Sequence, residues 1–115
     1  MRGRMQEHFF ALLLDGRHAL RGERLVSVGT LGQSLVHPRE VFGPAVRESA
    51  AAVIVAHNHP SGDPTPSPQD VEVTRRLLEV SHVVGIPLLD HVVTSDDAWV
   101  SMRERVPGLE FGGAT

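Results

Sequence analysis

His57 and His59 stand two positions apart, directly behind the apolar run Ala51 to Ala56. In an extended strand, side chains at i and i+2 leave the same face. Both imidazoles would then emerge side by side where such a strand ends. A loop of prolines and glycine follows, and Ser67-Pro68-Gln69-Asp70 opens a helical pattern behind it. Two histidines and an aspartate are ligand types that zinc accepts, and three protein ligands leave a fourth coordination position open. The stretch therefore reads as a catalytic metal site. Asp70 has a second reading. Ser-x-x-Asp is a capping-box pattern, in which the two side chains satisfy backbone groups at a helix start. On spacing alone, ligand and cap are both open to Asp70, and the two roles can coexist.

The elements that would position these residues follow from the hydrophobic pattern. His8 to Leu14 reads as a buried strand, and Asp15-Gly16 is a turn signal behind it. Ala19 to Gly29 alternates weakly and pairs with the first strand as a hairpin. Leu35-Val36-His37 reads as a third short strand. Pro38 opens a helix over Arg39 to Ala51, with Pro44 predicting a kink inside it. Ala52 to Ala56 is a short apolar strand. Ser67 as N-cap and Pro68 at the first position start a second helix. Val71, Thr74, Leu77, Leu78, Ser81 and Val84 recur along it at helical spacing, and Gly85 stops it. Ile86 to Thr94 is another apolar strand, carrying Asp90-His91. Ser95-Asp96-Asp97 is a turn, and Trp99 to Arg103 a last short element. The order is β-β-(β)-α-β-α-β-β, a mixed α/β domain with helices on a small sheet.

At 115 residues the chain has the length of one compact domain with a real core. The boundaries read as a domain over 6–106 and a C-terminal tail over 107–115, loose from Phe111 to Thr115. The chain contains no cysteine. That excludes Cys-ligated zinc and suits a reducing compartment. No apolar run reaches transmembrane length, and the N-terminus lacks a signal-peptide pattern, so the expectation is a soluble cytoplasmic protein with no membrane contact. The net charge is −3, and the 11 basic residues, all arginine, are scattered. Nucleic-acid modules carry clustered basic surface, so composition does not support DNA binding.

The longer pattern resembles a known family. His57-x-His59-Pro60, then Ser67 and Asp70, with Asp70 eleven positions behind the second histidine, resembles the JAMM (MPN+) metalloprotease signature. His57-Asn58-His59-Pro60-Ser61-Gly62, Pro66-Ser67, Pro38-Arg39-Glu40 and Leu89-Asp90-His91-Val92 narrow the resemblance to the RadC family. It runs from Glu7 to about Glu104. It implies a JAB/MPN fold with a cytidine-deaminase-like architecture, a mixed sheet flanked by helices around one zinc ion. His57, His59 and Asp70 match the family's zinc ligands. Glu7, ahead of an apolar strand, matches its upstream catalytic glutamate. By spacing alone Glu7 is an ordinary solvated residue. Ser67 matches the serine that steadies the oxyanion.

The activity so implied is hydrolysis of a peptide or isopeptide amide in a protein or peptide substrate. Glu7 would be the general acid–base group and Ser67 an oxyanion donor. Glu40 is the alternative base, and Arg39 could pair with it or with substrate. Asp90 could orient a ligating imidazole. His91 reads as a packed histidine at a strand end, with substrate contact as the alternative. One rival function is a DNA repair or recombination role, as a nucleic-acid-linked accessory or a nuclease on the same ligands. RadC-type chains often carry a helix-hairpin-helix segment ahead of this domain. This sequence begins almost at Glu7, so direct DNA binding is the weaker expectation. The string His57-Asn58-His59 is itself no HNH nuclease signature, which spreads its residues over a hairpin and a helix. A metal-free scaffold is a further rival. An exposed sheet edge would support a homodimer.

Overall fold

The structure is a computed structural model describing residues 6–29, 36–60 and 62–112. Strand β1 (Glu7–Leu14) is rich in phenylalanine and leucine, and every second side chain along it is buried. Strand β2 (Leu20–Gly29) pairs with it antiparallel. The turn between them is closed by Asp15, whose Oδ1 accepts the amides of Arg17 and Ala19. This Asx turn replaces backbone partners that the reversing chain cannot provide.

Helix α1 (Pro38–Arg47) follows. It ends before the expected Ala51, because Ser49 takes a left-handed backbone with φ 54° and turns the chain toward the sheet. Pro44 lies inside α1 without ending it. The carbonyl that loses its helical partner belongs to Glu40, which is exposed to water. The expected strand at 35–37 is not seen at Val36 and His37, and Leu35 lies outside the described residues.

Strand β3 (Ala52–Asn58) runs two residues beyond the expected Ala56, so His57 belongs to the ladder itself. It pairs antiparallel with β1 and parallel with β4 (Leu88–Thr94). Helix α2 (Pro68–Val84) is the crossover between these parallel strands. Gly85, at φ 78°, supplies the left-handed C-cap that stops it. β4 starts at Leu88 rather than Ile86. Pro87 has no N–H for a ladder, though its carbonyl accepts from Val53. The last expected element divides into β5 (Trp99–Ser101) and the short helix α3 (Met102–Arg105). The sheet order is β2-β1-β3-β4-β5.

Both long helices cover one face. Val41, Phe42 and Ala45 of α1 join Leu77 and Leu78 of α2 in a cluster with Phe9, Ala11, Leu13, Val53 and Val55 of the sheet. Burying an aliphatic side chain of this size contributes about 1.5–3 kcal/mol. Several such side chains therefore hold the middle of α2 on the sheet, which fixes the direction in which its first turn lies. The helical stripe read from the sequence is buried at Thr74, Leu77, Leu78 and Ser81, whereas Val84 is exposed. The segment behind α3 is not loose where it is described. Leu109 and Phe111 pack on the core, and the Gly112 amide donates to the Leu88 carbonyl. Arg103 Nη1 ties the Gly112 carbonyl to that of Leu89. Among the described residues, no helix is long and apolar enough to cross a membrane.

Candidate metal centre

The carboxyl ends of parallel strands beside a change of strand direction form a natural crevice in α/β sheets. Here that place is the end of β3, between antiparallel β1 and parallel β4. His57 continues the core-facing side of β3 and stacks on Phe9 of β1, with ring centroids 5.6 Å apart. His59 leaves the same side, its ring 4.8 Å from that of His57. The His59 amide donates to the Thr94 carbonyl, so β4 holds the backbone just past the strand end. The loop behind it is ordered by Asp63, whose Oδ1 accepts from the Thr65 amide and hydroxyl. Its carbonyl lies 2.9 Å from His59 Nδ1. A carbonyl can only accept, so Nδ1 carries a proton, and Nε2 is the nitrogen turned toward Asp70, whose Oδ2 lies 3.0 Å away.

Asp70 caps α2, and its carboxylate also faces both imidazoles. Ser67 Oγ accepts the Asp70 amide, and Asp70 Oδ2 accepts the Ser67 amide at 2.7 Å, a complete capping box. The same carboxylate faces both imidazoles. Oδ1 lies 3.0 Å from His57 Nε2, and Oδ2 lies 3.0 Å from His59 Nε2. Ser67→Ala should therefore cost about 1 kcal/mol through the lost cap. Thermal unfolding would show this as a Tm lowered by about 4 °C. An unchanged Tm would deny Ser67 a capping role. Capping uses the serine oxygen as an acceptor, and its O–H can still donate.

Glu7 enters from the first residue of β1, fifty positions upstream of His57. It is buried, with Oε1 3.7 Å from His57 Nε2. Asn58 holds it there. This side chain points away from its histidine neighbours, accepts the His8 amide at 2.6 Å and donates to the Gln6 carbonyl at 3.0 Å. Its amide thus clamps the backbone on both sides of Glu7. In Asn58→Ala the side chain that joins these two backbone groups is gone, at about 0.5–1.5 kcal/mol for each hydrogen bond, since Gln6 is exposed and His8 half-buried. Hydrogen exchange at the His8 amide should accelerate accordingly. Unchanged exchange would remove the clamp from the account.

Glu7, His57, His59 and Asp70 form one group in which a ligand atom from each lies within 4.8 Å of all the others. The electrostatics match a cation at its centre. Burial alone would raise the Asp70 pKa, but contacts with His57 and His59 hold the carboxyl well below its ordinary range. The Asp70 contact raises the His59 pKa, against burial and with help from the Asp63 carbonyl. Both shifts favour positive charge between the imidazoles and the carboxylate. His57 Nε2 is the decisive atom. It is buried and, among the described residues, has no hydrogen-bond partner of good geometry, although Asp70 Oδ1 lies within ion-pair distance. A buried polar atom without a partner is rare and calls for a cause. Donors on ~2.0–2.1 Å bonds to a tetrahedral zinc ion stand about 3.3 Å apart, close to the spacings here.

His91 is packed, as expected, though inside β4 rather than at its end, and it is His91 rather than Asp90 that touches an imidazole of the centre. Neighbours on a strand face opposite ways. Asp90 therefore turns from the centre and accepts from Ser101 Oγ, the Arg103 amide and the His91 amide, joining β4 to α3. His91, fully buried, contacts His57 and Thr74. Burial pushes its pKa well below the ordinary histidine value, and the neighbouring His57 acts the same way, which favours the neutral form. Glu40 and Arg39 are exposed on the first turn of α1, and Glu40 is not part of the four-residue group. Asn58 was read only as a motif position and Thr74 only as a position in the helical stripe, neither with a role at the site. The only available signal for Thr74 was a hydroxyl four positions behind Asp70 within an apolar stripe.

A profile described as RadC-like JAB domain matches residues 1–108. The chain belongs to this family. It is similar to a UPF0758 protein of Geobacter sulfurreducens, 58% identical over 100 residues, which are 87% of this chain and 44% of the relative. A UPF0758 protein of Trichlorobacter lovleyi is 56% identical over 104 residues, covering 90% of this chain and 45% of its own length. The chain thus spans less than half the length of these relatives. The mixed five-stranded sheet with its helices agrees with the JAB fold.

Proposed function

We propose that this JAB domain is a zinc-dependent hydrolase of peptide or isopeptide amide bonds. The observation that carries the reading is the bare Nε2 of His57, buried among the carboxylates of Asp70 and Glu7 with His59 beside it. His57, His59 and Asp70 would hold the ion, since their donor atoms approach most closely. Two imidazoles and one carboxylate, without thiolate, suit zinc. A zinc ion bound there supplies Lewis acidity and a nucleophile at neutral pH.

The chain's own residues supply the rest. Glu7 stands slightly farther from His57 than Asp70 does, which fits a group that handles protons rather than a ligand. It takes a proton from the attacking water and delivers it to the leaving amine, a contribution typically of ~10²–10⁴-fold. The Ser67 hydroxyl donates to the oxyanion that develops on the carbonyl. Burial around Glu7, His57 and His59 limits competing solvent and strengthens each of these interactions.

The test is turnover on peptide- and isopeptide-linked substrates by zinc-loaded protein, with chelator-treated protein as control. The expected result is amide cleavage that disappears on chelation and returns with zinc. Cleavage of DNA phosphodiesters by the loaded protein, with no amide cleaved, would replace this reading by that of a nuclease.

A further inference from the structure

We infer that His91 and Thr74 are positioning residues that fix His57 in the tautomer with its proton on Nδ1, leaving Nε2 as a bare donor toward the metal centre. The inference rests on the metal-site reading for its purpose, but the geometry stands independently of it. Four groups form a line through the protein. The Asp70 backbone carbonyl lies 2.7 Å from Thr74 Oγ1. That oxygen lies 2.6 Å from His91 Nδ1, and His91 Nε2 lies 2.7 Å from His57 Nδ1. Thr74 and His91 are both fully buried, so water cannot substitute for either partner.

The direction of the line follows from its ends. A carbonyl only accepts, so the Thr74 hydroxyl proton points to Asp70. Thr74 Oγ1 must then accept from His91 Nδ1–H. With that nitrogen protonated, His91 Nε2 presents its lone pair, and His57 Nδ1 must donate to it. The reverse order would leave the Thr74 oxygen and the Asp70 carbonyl 2.7 Å apart without a proton between them. Met102 Sδ, 3.6 Å from Thr74 Oγ1, is too weak an acceptor to redirect that proton.

The line also closes a circuit. It starts on the backbone of Asp70, crosses from α2 to β4 and β3, and ends on His57, whose other nitrogen faces the Asp70 side chain. Two residues that approach the same centre are thereby registered against each other through buried side chains. An outer partner of this kind ordinarily changes metal affinity by roughly 10–100-fold when removed.

The experiment uses ¹⁵N-histidine NMR of the metal-free chain at alkaline pH, together with zinc affinity by calorimetry. His57 is expected to show Nδ1 protonated and Nε2 bare. In His91→Leu that preference should disappear, and zinc affinity should fall by roughly 10–100-fold. Thr74→Val changes shape least and is the second variant, should His91→Leu not fold. It should scramble the His91 tautomer, weaken zinc binding and leave the fold intact, whereas Thr74→Ser should restore both signals. An unchanged His57 tautomer with unchanged zinc affinity in either folded variant would overturn the inference. A wild-type chain with the expected tautomer and no zinc affinity would instead refute the metal-site reading while leaving the relay standing.

Discussion

Glu7→Gln is expected to keep the metal and lose the chemistry. Glutamine matches the shape of the buried glutamate and remains anchored by the Asn58 clamp on the neighbouring backbone. It cannot accept a proton from water at neutral pH. Removal of a general acid–base group of this kind lowers kcat by ~10²–10⁴-fold. That is about 3–5 kcal/mol of transition-state stabilisation. His57, His59 and Asp70 are untouched, so zinc stoichiometry should remain one per chain. Glu40→Gln is the paired control, because Glu40 lies exposed on α1 and outside the four-residue group. Full activity in Glu7→Gln, or an equal loss in Glu40→Gln, would take the base role from Glu7.

Asp70→Asn separates two functions that one carboxylate performs. The asparagine carbonyl can still accept the Ser67 amide, so the start of α2 should persist. The negative charge facing His57 and His59 is gone, however, and with it the anionic ligand. Zinc affinity should fall by more than the roughly 10–100-fold that an outer partner is worth. Thermal denaturation gives a clear readout. Zinc at a thousand times its Kd stabilises the native state by about 4 kcal/mol. The wild-type chain should therefore melt higher with zinc, and at the same zinc concentration Asp70→Asn should keep less than about 1.4 kcal/mol of that stabilisation while its helical signal is retained. A wild-type-sized shift in the variant would remove Asp70 from the ligand set.

The parts of this account differ in how they were written in the chain. The pair His57 and His59 was legible because strand periodicity alone sends both to one side. The capping box was legible for the same local reason, but locality could not say that Asp70 also faces two imidazoles. That depends on how α2 docks, which is decided by Leu77 and Leu78 packing against sheet residues far away in sequence. Glu7 was invisible to spacing, since only the β1–β3 pairing brings it beside His57. It was nominated by resemblance to a family. Asn58 was hidden by its position between the histidines, where alternation turns it to the opposite side to clamp β1. Thr74 was disguised as one more position in a core stripe. The Asp90-His91 pair shows the limit of reading neighbours together. One residue braces α3 and the other contacts His57, because a strand sends them to opposite faces. The early end of α1 rests on the left-handed Ser49, for which no turn signal marks the sequence.

The central claim is that one metal ion sits among His57, His59 and Asp70, with Glu7 beside it. Anomalous diffraction at the zinc edge from zinc-loaded crystals tests it most directly. The account predicts a single strong peak within bonding distance of His57 Nε2, His59 Nε2 and an Asp70 carboxylate oxygen. Zinc bound elsewhere on the chain, with no peak at these three atoms, would contradict it.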